Sequence, residues 1–394
     1  MIYSYGTAQS EIDRFFEKKK SWSKVKDQIV GNYIVCYLKT VHNLNRPIVL
    51  VDAFAGPGRF GDGSEGSPLL ICKAISDHWK GHAPMSCVFA DTRPAHRAAL
   101  EENLAEYIKA GICKSPLKDC SEAISTAIDA FNGSTIFFYL DPYGIKDLEF
   151  DMVRQIYERN PERSTEVLIN FNFRTFMRMS GNWGYSDTAS EVAQKVRSEK
   201  VETVHRVMGG EYWLNIITDP SLDKIAREQA VIDAYLVRVR KYFKFAFAIP
   251  VKERDEDQQN VPVDELAHYH LIFGTRSPKA IGYMNDVGLN ALEPYLSQFK
   301  DGLLFDMTPD RYQAADTALV KAAIVDAVRS RPLLRPSIYE SVIPQFFMHH
   351  KKAALRQMVD ELTFVEGKLF PDRRSMKRAN QLNNDTLLSA QPWP

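Results

Sequence analysis

The chain carries no net charge: 50 Lys and Arg balance 50 Asp and Glu over 394 residues. Bulk charge therefore does not point to nucleic acid, although a local basic face stays open. Cysteine is scarce. Cys36, Cys72, Cys87, Cys113 and Cys120 are odd in number, lack a C-x-x-C pair and sit among apolar or helical residues. That pattern reads as free buried thiols in a reducing compartment, not a disulfide framework. No run of 18 apolar residues exists, so no membrane-spanning helix is expected. The opening Met1-Ile2-Tyr3-Ser4-Tyr5-Gly6 has no basic flank leading into an apolar core. No signal peptide is expected, and the cytoplasm is the expected compartment. G-x-x-x-x-G-K-[ST] does not occur, which removes one common phosphate cradle, and the G-x-S-x-G elbow is missing too. His268 and His270 alternate on one predicted strand and His349 and His350 are adjacent, but no cysteine or carboxylate completes a ligand spacing, so no metal is expected. Internal repeats and low-complexity stretches are absent.

What is present is a run of alternating elements. A hydrophobic content of 45% supports a sizeable core, and the length suits two domains or one large domain with additions. Residues 10–42 predict a helix, with Trp22, Val25, Ile29, Tyr33 and Cys36 at helical spacing. Ile48-Val49-Leu50-Val51-Asp52 then reads as a buried strand that breaks into Ala53-Phe54-Ala55-Gly56-Pro57-Gly58. Further strands are expected at 86–91, weakly at 112–117, at 134–141 and at 165–171, with helices between them near 68–79, 94–110, 121–131 and 147–159. Five strands alternating with helices imply a mostly parallel, doubly wound sheet. Residues 174–240 interrupt with polar helices and an exposed-looking loop at 179–185. Tyr242–Val251 and Leu266–Thr275 follow with only a charged loop, Glu253–Gln259, between them, so they should pair antiparallel. The fold class expected is α/β: a class I methyltransferase (Rossmann-like) seven-stranded sheet closing on an antiparallel hairpin, with a helical insertion. This domain is placed at 1–300.

After a helix near 278–298 and a linker at Asp301–Pro309, a different unit is expected at 312–385. Helices near 314–329, 336–343 and 349–362 precede a two-stranded wing, Thr363 to Phe370, turning at Glu366-Gly367. Helix, helix, helix, hairpin is winged-helix order. Residues 331–378 hold ten Lys or Arg against five Asp or Glu, a surplus hidden in the neutral total.

Three acids close predicted strands: Asp52, Asp91 and Asp119. Open α/β sheets bind ligands beyond the carboxyl ends of their strands, where glycines admit close backbone approach. S-adenosyl-L-methionine (SAM) has no phosphate to cradle. It offers an ammonium, two ribose hydroxyls and an adenine amine, which Asp52, Asp91 and Asp119 suit in that order, with Phe54, Gly56 and Gly58 in the first turn. Singly, a strand-end Asp is more often a turn or a helix cap. Gly61 to Pro68 is either a plain loop capped by Ser67 or a set of amides meeting the cofactor's carboxylate. Asp141-Pro142-Tyr143-Gly144 is the catalytic candidate. In amino-methylating enzymes a similarly placed acid or amide and a backbone carbonyl accept from the target amine, and the aromatic stacks on a flat acceptor. One proline of that pattern is missing here, and a structural Pro-Gly turn is the alternative. Asn170, ending the fifth strand, either lines the substrate pocket with Gly144 or is structural. Lys351, Lys352 and Arg356 lie on a helix that either contacts substrate or is a solvated basic face.

Together, Asp52-Ala53-Phe54-Ala55-Gly56-Pro57-Gly58, Gly66-Ser67-Pro68-Leu69, Leu140-Asp141-Pro142-Tyr143-Gly144, Val167 to Phe171 and His270 to Thr275 resemble the three-Cys-motif partner (TcmP) family over nearly the whole chain. The resemblance implies a class I SAM-dependent methyltransferase. It also implies a partner encoded nearby that carries a three-cysteine motif of radical-SAM type. Members often show a Lys-His pair in the first helix, where this chain reads Lys24-Val25-Lys26-Asp27. The expectation is methyl transfer to a nitrogen of a nucleic acid or nucleobase, RNA or DNA. A fold that has lost activity and serves as an adaptor, or a methyltransferase acting on a small molecule or peptide, are the alternatives.

Overall fold

The computed structural model describes residues 15–44, 46–79, 83–160, 162–180, 191–252, 266–297, 314–378 and 381–393. The expected loop beyond residue 180, the charged loop at 253–259 and the linker at 301–309 lie outside these residues. The chain divides into two compact units, Met1–Arg276 and Ser277–Pro394. Among the described residues no helix is long and apolar enough to cross a membrane.

In the first unit, strands β1 (Ile48–Asp52), β2 (Met85–Phe89), β3 (Thr135–Leu140) and β4 (Thr165–Phe171) pair in parallel in the order β2-β1-β3-β4. β6 (Tyr269–Thr275) joins β4 antiparallel, and β5 (Phe245–Val251) closes the edge antiparallel to β6. Every residue of β1, β3 and β4 is buried, as expected of strands covered on both faces. The fold is thus mixed α/β with a mostly parallel sheet, and its closing hairpin pairs as the short connection required.

Among the described residues the sheet has six strands, and the expected seventh is not among them. Residues 112–117 touch the β2 edge only through isolated bridges, Cys87 to Cys113 and Ala90 to Leu117. Pro116 has no N–H to give a ladder, and Ser115 spends its hydroxyl on Glu101 (2.5 Å). Helix α1 (Ser21–Val41) buries Val25, Ile29, Val30, Tyr33 and Tyr37. It is clamped to the sheet by Tyr33, whose hydroxyl donates to buried Glu166 of β4 at 2.5 Å. α2 (Ser67–His78) follows β1, and the helix expected at 94–110 breaks at Leu104 into α3 (Pro94–Asn103) and α4 (Ala105–Lys109). α5 (Cys120–Asp129) and α6 (Phe150–Tyr157) flank β3.

The insertion is less polar than expected. α7 (Phe173–Ser180), α8 (Glu191–Met208), α9 (Trp213–Thr218) and α10 (Lys224–Val239) send Phe176, Met179, Val204, Val207, Trp213, Val231 and Tyr235 into one core with Phe171 and Phe150. Met179 and Ser180 are buried at a helix end, not exposed in a loop.

The second unit begins earlier than the sequence placed it. α11 (Pro278–Ser297) belongs to it because buried Asn285 donates to the His350 carbonyl (2.9 Å) and accepts from the Met348 amide (2.7 Å). α12 (Thr317–Ala327), β7 (Leu333–Leu334), α13 (Arg335–Val342), α14 (Lys352–Phe364), β8 (Phe370–Pro371) and β9 (Leu387–Ser389) follow, the strands pairing in the order β7-β9-β8. The hairpin expected at 363–370 does not form. Thr363 and Phe364 finish α14, the Val365 and Glu366 amides both return to the Glu361 carbonyl, and Gly367 (φ +62°) ends the helix.

Candidate active site at the switch point of the sheet

From β1 the chain winds to β2 on one side and later to β3 on the other, so the carboxyl ends of β1 and β3 border the topological switch point, the usual ligand crevice of such sheets. Asp52 ends β1 and Asp141 follows β3. Their neighbourhoods define the candidate site.

Asp52 is wholly buried. It accepts from the Ser67 hydroxyl (2.6 Å) at the start of α2 and from the Phe54 amide (3.2 Å). Burial raises its pKa to about 7, against the Ser67 hydrogen bond, and the nearby Asp141 charge adds to the rise. With both oxygens occupied, Asp52 shapes the turn from beneath. Gly56 (φ +61°) and Gly58 (φ +80°) both sit in the left-handed region that favours glycine. The Gly56 amide donates to Asp91 Oδ2 (3.1 Å), while Oδ1 accepts from the Arg93 amide (2.9 Å) and lies 3.3 Å from His96 Nδ1. The Gly66 amide donates to the Gly58 carbonyl (2.8 Å), joining the two glycine loops. The Asp91 amide donates to the Leu117 carbonyl (3.3 Å), which brings 117–119 alongside. Asp119 caps α5 by accepting from the Glu122 amide (2.9 Å) and is the most open of the three acids. The structure therefore gathers Asp52, Phe54, Gly56, Gly58, Asp91 and Asp119 along one edge, and each acid also holds backbone.

At β3, Asp141 receives three donors: Lys26 Nζ and the Tyr139 hydroxyl (3.0 Å) on Oδ2, and Asn170 Nδ2 (2.6 Å) on Oδ1. Pro142 is buried, Tyr143 is half exposed, and the nearest atom to a Cβ on Gly144 would be Thr175 Cγ2 at 3.8 Å. Asn170 is 6% exposed, and its Oδ1 has no hydrogen-bond partner among the described residues.

The sequence reading placed the helix that α1 forms but gave neither it nor the residues before it a part in the site. Lys26 is buried. Burial alone would push its pKa down, but Asp141 and Asp27 outweigh it and hold it above the ordinary lysine value. Asp27 is paired with Lys19, and burial pushes Asp27 up. Lys19 in turn donates from its amide to Asp62 (3.1 Å) and from Nζ to the Glu65 carbonyl (2.5 Å). A line of charges, Lys19–Asp27–Lys26–Asp141, thus runs from the second glycine loop to the acceptor turn. Phe16 lies on the first: a Cβ at Gly56 would fall 2.9 Å from its ring, which also packs edge-on to His96. Phe15 packs edge-on to Tyr143, with ring centroids 5.5 Å apart. The available signal was Lys26-Asp27 itself, two charges set inside the apolar stripe of a helix.

Lys351, Lys352 and Arg356 lie in the second unit. Lys351 is paired with Glu293, Lys352 sits against the Tyr339 ring with burial pushing its pKa down, and Arg356 is exposed. Among the described residues no three His, Cys, Asp or Glu gather as a metal-binding group. His270 is tied to buried Glu228 (2.7 Å).

No protein-family model matches the chain, and no curated protein matches it. Solved structures align weakly. A protein from Legionella pneumophila is 10% identical, with a TM-score of 0.40 over 72% of this chain and 94% of that one. The plantazolicin methyltransferase BamL, in complex with a triazolic desmethylPZN analog and SAH, is 10% identical, with a TM-score of 0.30 over 68% of this chain and 91% of its own. A SAM-dependent methyltransferase from Agrobacterium tumefaciens is 14% identical, with a TM-score of 0.27 over 64% and 62%. Likenesses of this strength carry nothing over to this chain.

Proposed function

We propose that the chain is a SAM-dependent methyltransferase that methylates a nitrogen of a nucleic acid or nucleobase. The observation that carries the reading is the joining of a left-handed glycine turn after β1 to an acid after β2, beside an acid-Pro-Tyr turn after β3, at the switch point of a parallel sheet. The fit to SAM rests on this structure. Gly56 presents a bare surface that already takes a flat ring, that of Phe16, where a side chain would collide. Asp91 and Asp119 are part-exposed acceptors suited to ribose hydroxyls and an adenine amine. Asp52, buried and fully engaged, would hold the turn and not touch the cofactor. Phe16 must shift for a ligand to use the Gly56 surface.

SAM, when bound, supplies a methyl group on a positively charged sulfur, which a nitrogen lone pair can displace. The protein's part is placement. Asp141 would accept from the acceptor nitrogen and aim its lone pair, Tyr143 would cover the flat ring, and the proton shed by the methylated nitrogen would go to water. In the second unit, from α12 onward, the order helix, strand, helix, helix, strand, strand, with β9 between β7 and β8, supports a winged helix. Exposed Arg373, Arg374, Lys377 and Arg378 between β8 and β9 would meet phosphates. A three-Cys-motif protein of radical-SAM type is the partner proposed on the sequence's resemblance.

The ring of Phe16 on Gly56 favours a second reading, an inactive adaptor that keeps the fold with its cofactor turn covered. Incubation with methyl-labelled SAM and total RNA, DNA or protein, with and without the partner, separates the two. Label in nucleic acid supports the enzyme. Label in protein alone overturns the nucleic-acid assignment, and no label in any arm favours the adaptor.

A further inference from the structure

The acceptor turn holds one polar atom that its own surroundings do not explain. Asn170 is more than nine-tenths buried, and its Oδ1 is unpartnered. The orientation of the amide follows from chemistry. An ionised Asp141 can only accept, so the NH2 side of Asn170 must face Asp141 Oδ1, as the 2.6 Å contact shows, and the carbonyl must face elsewhere. A buried acceptor left without a donor costs stability, and such an atom in a native structure needs an explanation.

Asp141 is similarly one-sided. Its Oδ2 takes both Lys26 Nζ and the Tyr139 hydroxyl, while Oδ1 takes only Asn170 Nδ2 and keeps a lone pair. Two acceptor positions, Asn170 Oδ1 and the second lone pair of Asp141 Oδ1, are therefore fixed a short distance apart. Asn170 Nδ2 donates to Asp141 Oδ1 and Lys26 Nζ to Oδ2.

We propose that Asn170 and Asp141 form a two-acceptor cradle for the two hydrogens of an exocyclic amino group on a planar base, and that Lys26 is the positioning residue that holds the Asp141 carboxylate in place. This rests on the methyltransferase reading and narrows it. A hydroxyl or a ring nitrogen, with one hydrogen or none, leaves one of the two acceptors empty. An NH2 of adenine or cytosine fills both. Lys26 approaches from α1, which ties the cradle to the segment lying across the glycine loops. The titratable groups around Asp141 are Lys26 and Asp27 of α1, Asp52 after β1 and Tyr139 of β3. Of these, Lys26 is the cation in contact with the carboxylate.

The test uses the full chain with tritiated-methyl SAM and two substrates, total RNA and genomic DNA, digested to nucleosides to locate the label; the two arms tell the sources apart. Label is expected on exocyclic amino nitrogens. Asn170→Ala should cut transfer by about 100-fold, the scale on which one positioned hydrogen-bond partner acts, while SAM affinity by calorimetry stays within about twofold. Folded Lys26→Met should lower kcat for transfer by about 10-fold while SAM affinity stays unchanged, because the contact that holds Asp141 is lost. Lys26→Arg should restore kcat by supplying a cation to Asp141 again. A purely structural lysine would change yield or stability but would not separate kcat from SAM affinity. Label on a ribose oxygen or a ring nitrogen, an unimpaired Asn170→Ala, or an unimpaired kcat in folded Lys26→Met overturns the inference while leaving the methyltransferase reading intact. Absence of SAM binding by folded wild type overturns that reading, and the inference falls with it.

Discussion

The contact between Gly56 and Phe16 gives a sharp test of how the site is closed. Consider Gly56→Ala. At φ +61° an alanine occupies the left-handed region, which costs about 1–2 kcal/mol for an L-residue. The new Cβ would also lie 2.9 Å from two Phe16 ring carbons. That is well inside the roughly 3.5–4.0 Å at which carbon atoms rest. Phe16 must move, giving up its packing on His96 and Phe60. Overpacking of this kind costs about 1–3 kcal/mol. The single variant should therefore lose about 2–5 kcal/mol in urea unfolding, the sum of the two effects. In a Phe16→Ala background only the backbone term survives, so the same substitution should cost about 1–2 kcal/mol. The double-mutant cycle isolates the difference. Equal losses in both backgrounds would show that Phe16 does not rest on the glycine turn, and a neutral Gly56→Ala would refute the left-handed geometry itself.

Glu166, buried where it accepts from Tyr33 and Thr275, has its pKa raised from 4.5 to about 7, chiefly by burial. The folded state binds this proton more tightly than the unfolded chain, so its contribution is greatest below pH 4.5 and is lost as pH rises to about 7. The loss is about 3 kcal/mol at about 1.36 kcal/mol per pKa unit. Asp52 acts in the same direction up to about pH 7. Glu166→Gln should flatten that part of a stability–pH curve measured by denaturant titration, and an unchanged slope would contradict the assignment. Asp119→Ala removes the N-cap of α5 and should cost about 1 kcal/mol, whereas Asp119→Asn keeps the cap and should cost little, both read by urea unfolding.

Most of the sheet was legible because β1, β3 and β4 are continuous apolar runs, and an unbroken run buried on both faces has few alternative readings. The closing hairpin followed from a gap too short for a helix. The seventh strand failed because Pro116 breaks the ladder that neighbouring apolar residues suggest. The hairpin expected at 363–370 failed because Gly367 was read as a hairpin turn when it ends a helix, two uses of the same left-handed conformation. At the site, the strand-end acids and the glycine turn were visible as spacing. The contribution of α1 was not, since Lys26 and Asp141 are 115 positions apart and only the fold brings them together. The orphaned Asn170 carbonyl was equally hidden, because a sequence names an amide but not which of its atoms lacks a partner.

The measurement that bears most directly on the account is isothermal calorimetry of SAM against the full chain and its Asp91→Ala variant, with folding of both checked by circular dichroism. Asp91 holds the Gly56 amide and keeps a part-exposed carboxylate at the cleft. The account predicts micromolar-range binding by the wild type and its loss in folded Asp91→Ala. A well-folded wild type that gives no binding heat at any temperature, or an Asp91→Ala variant that binds as tightly, would contradict it.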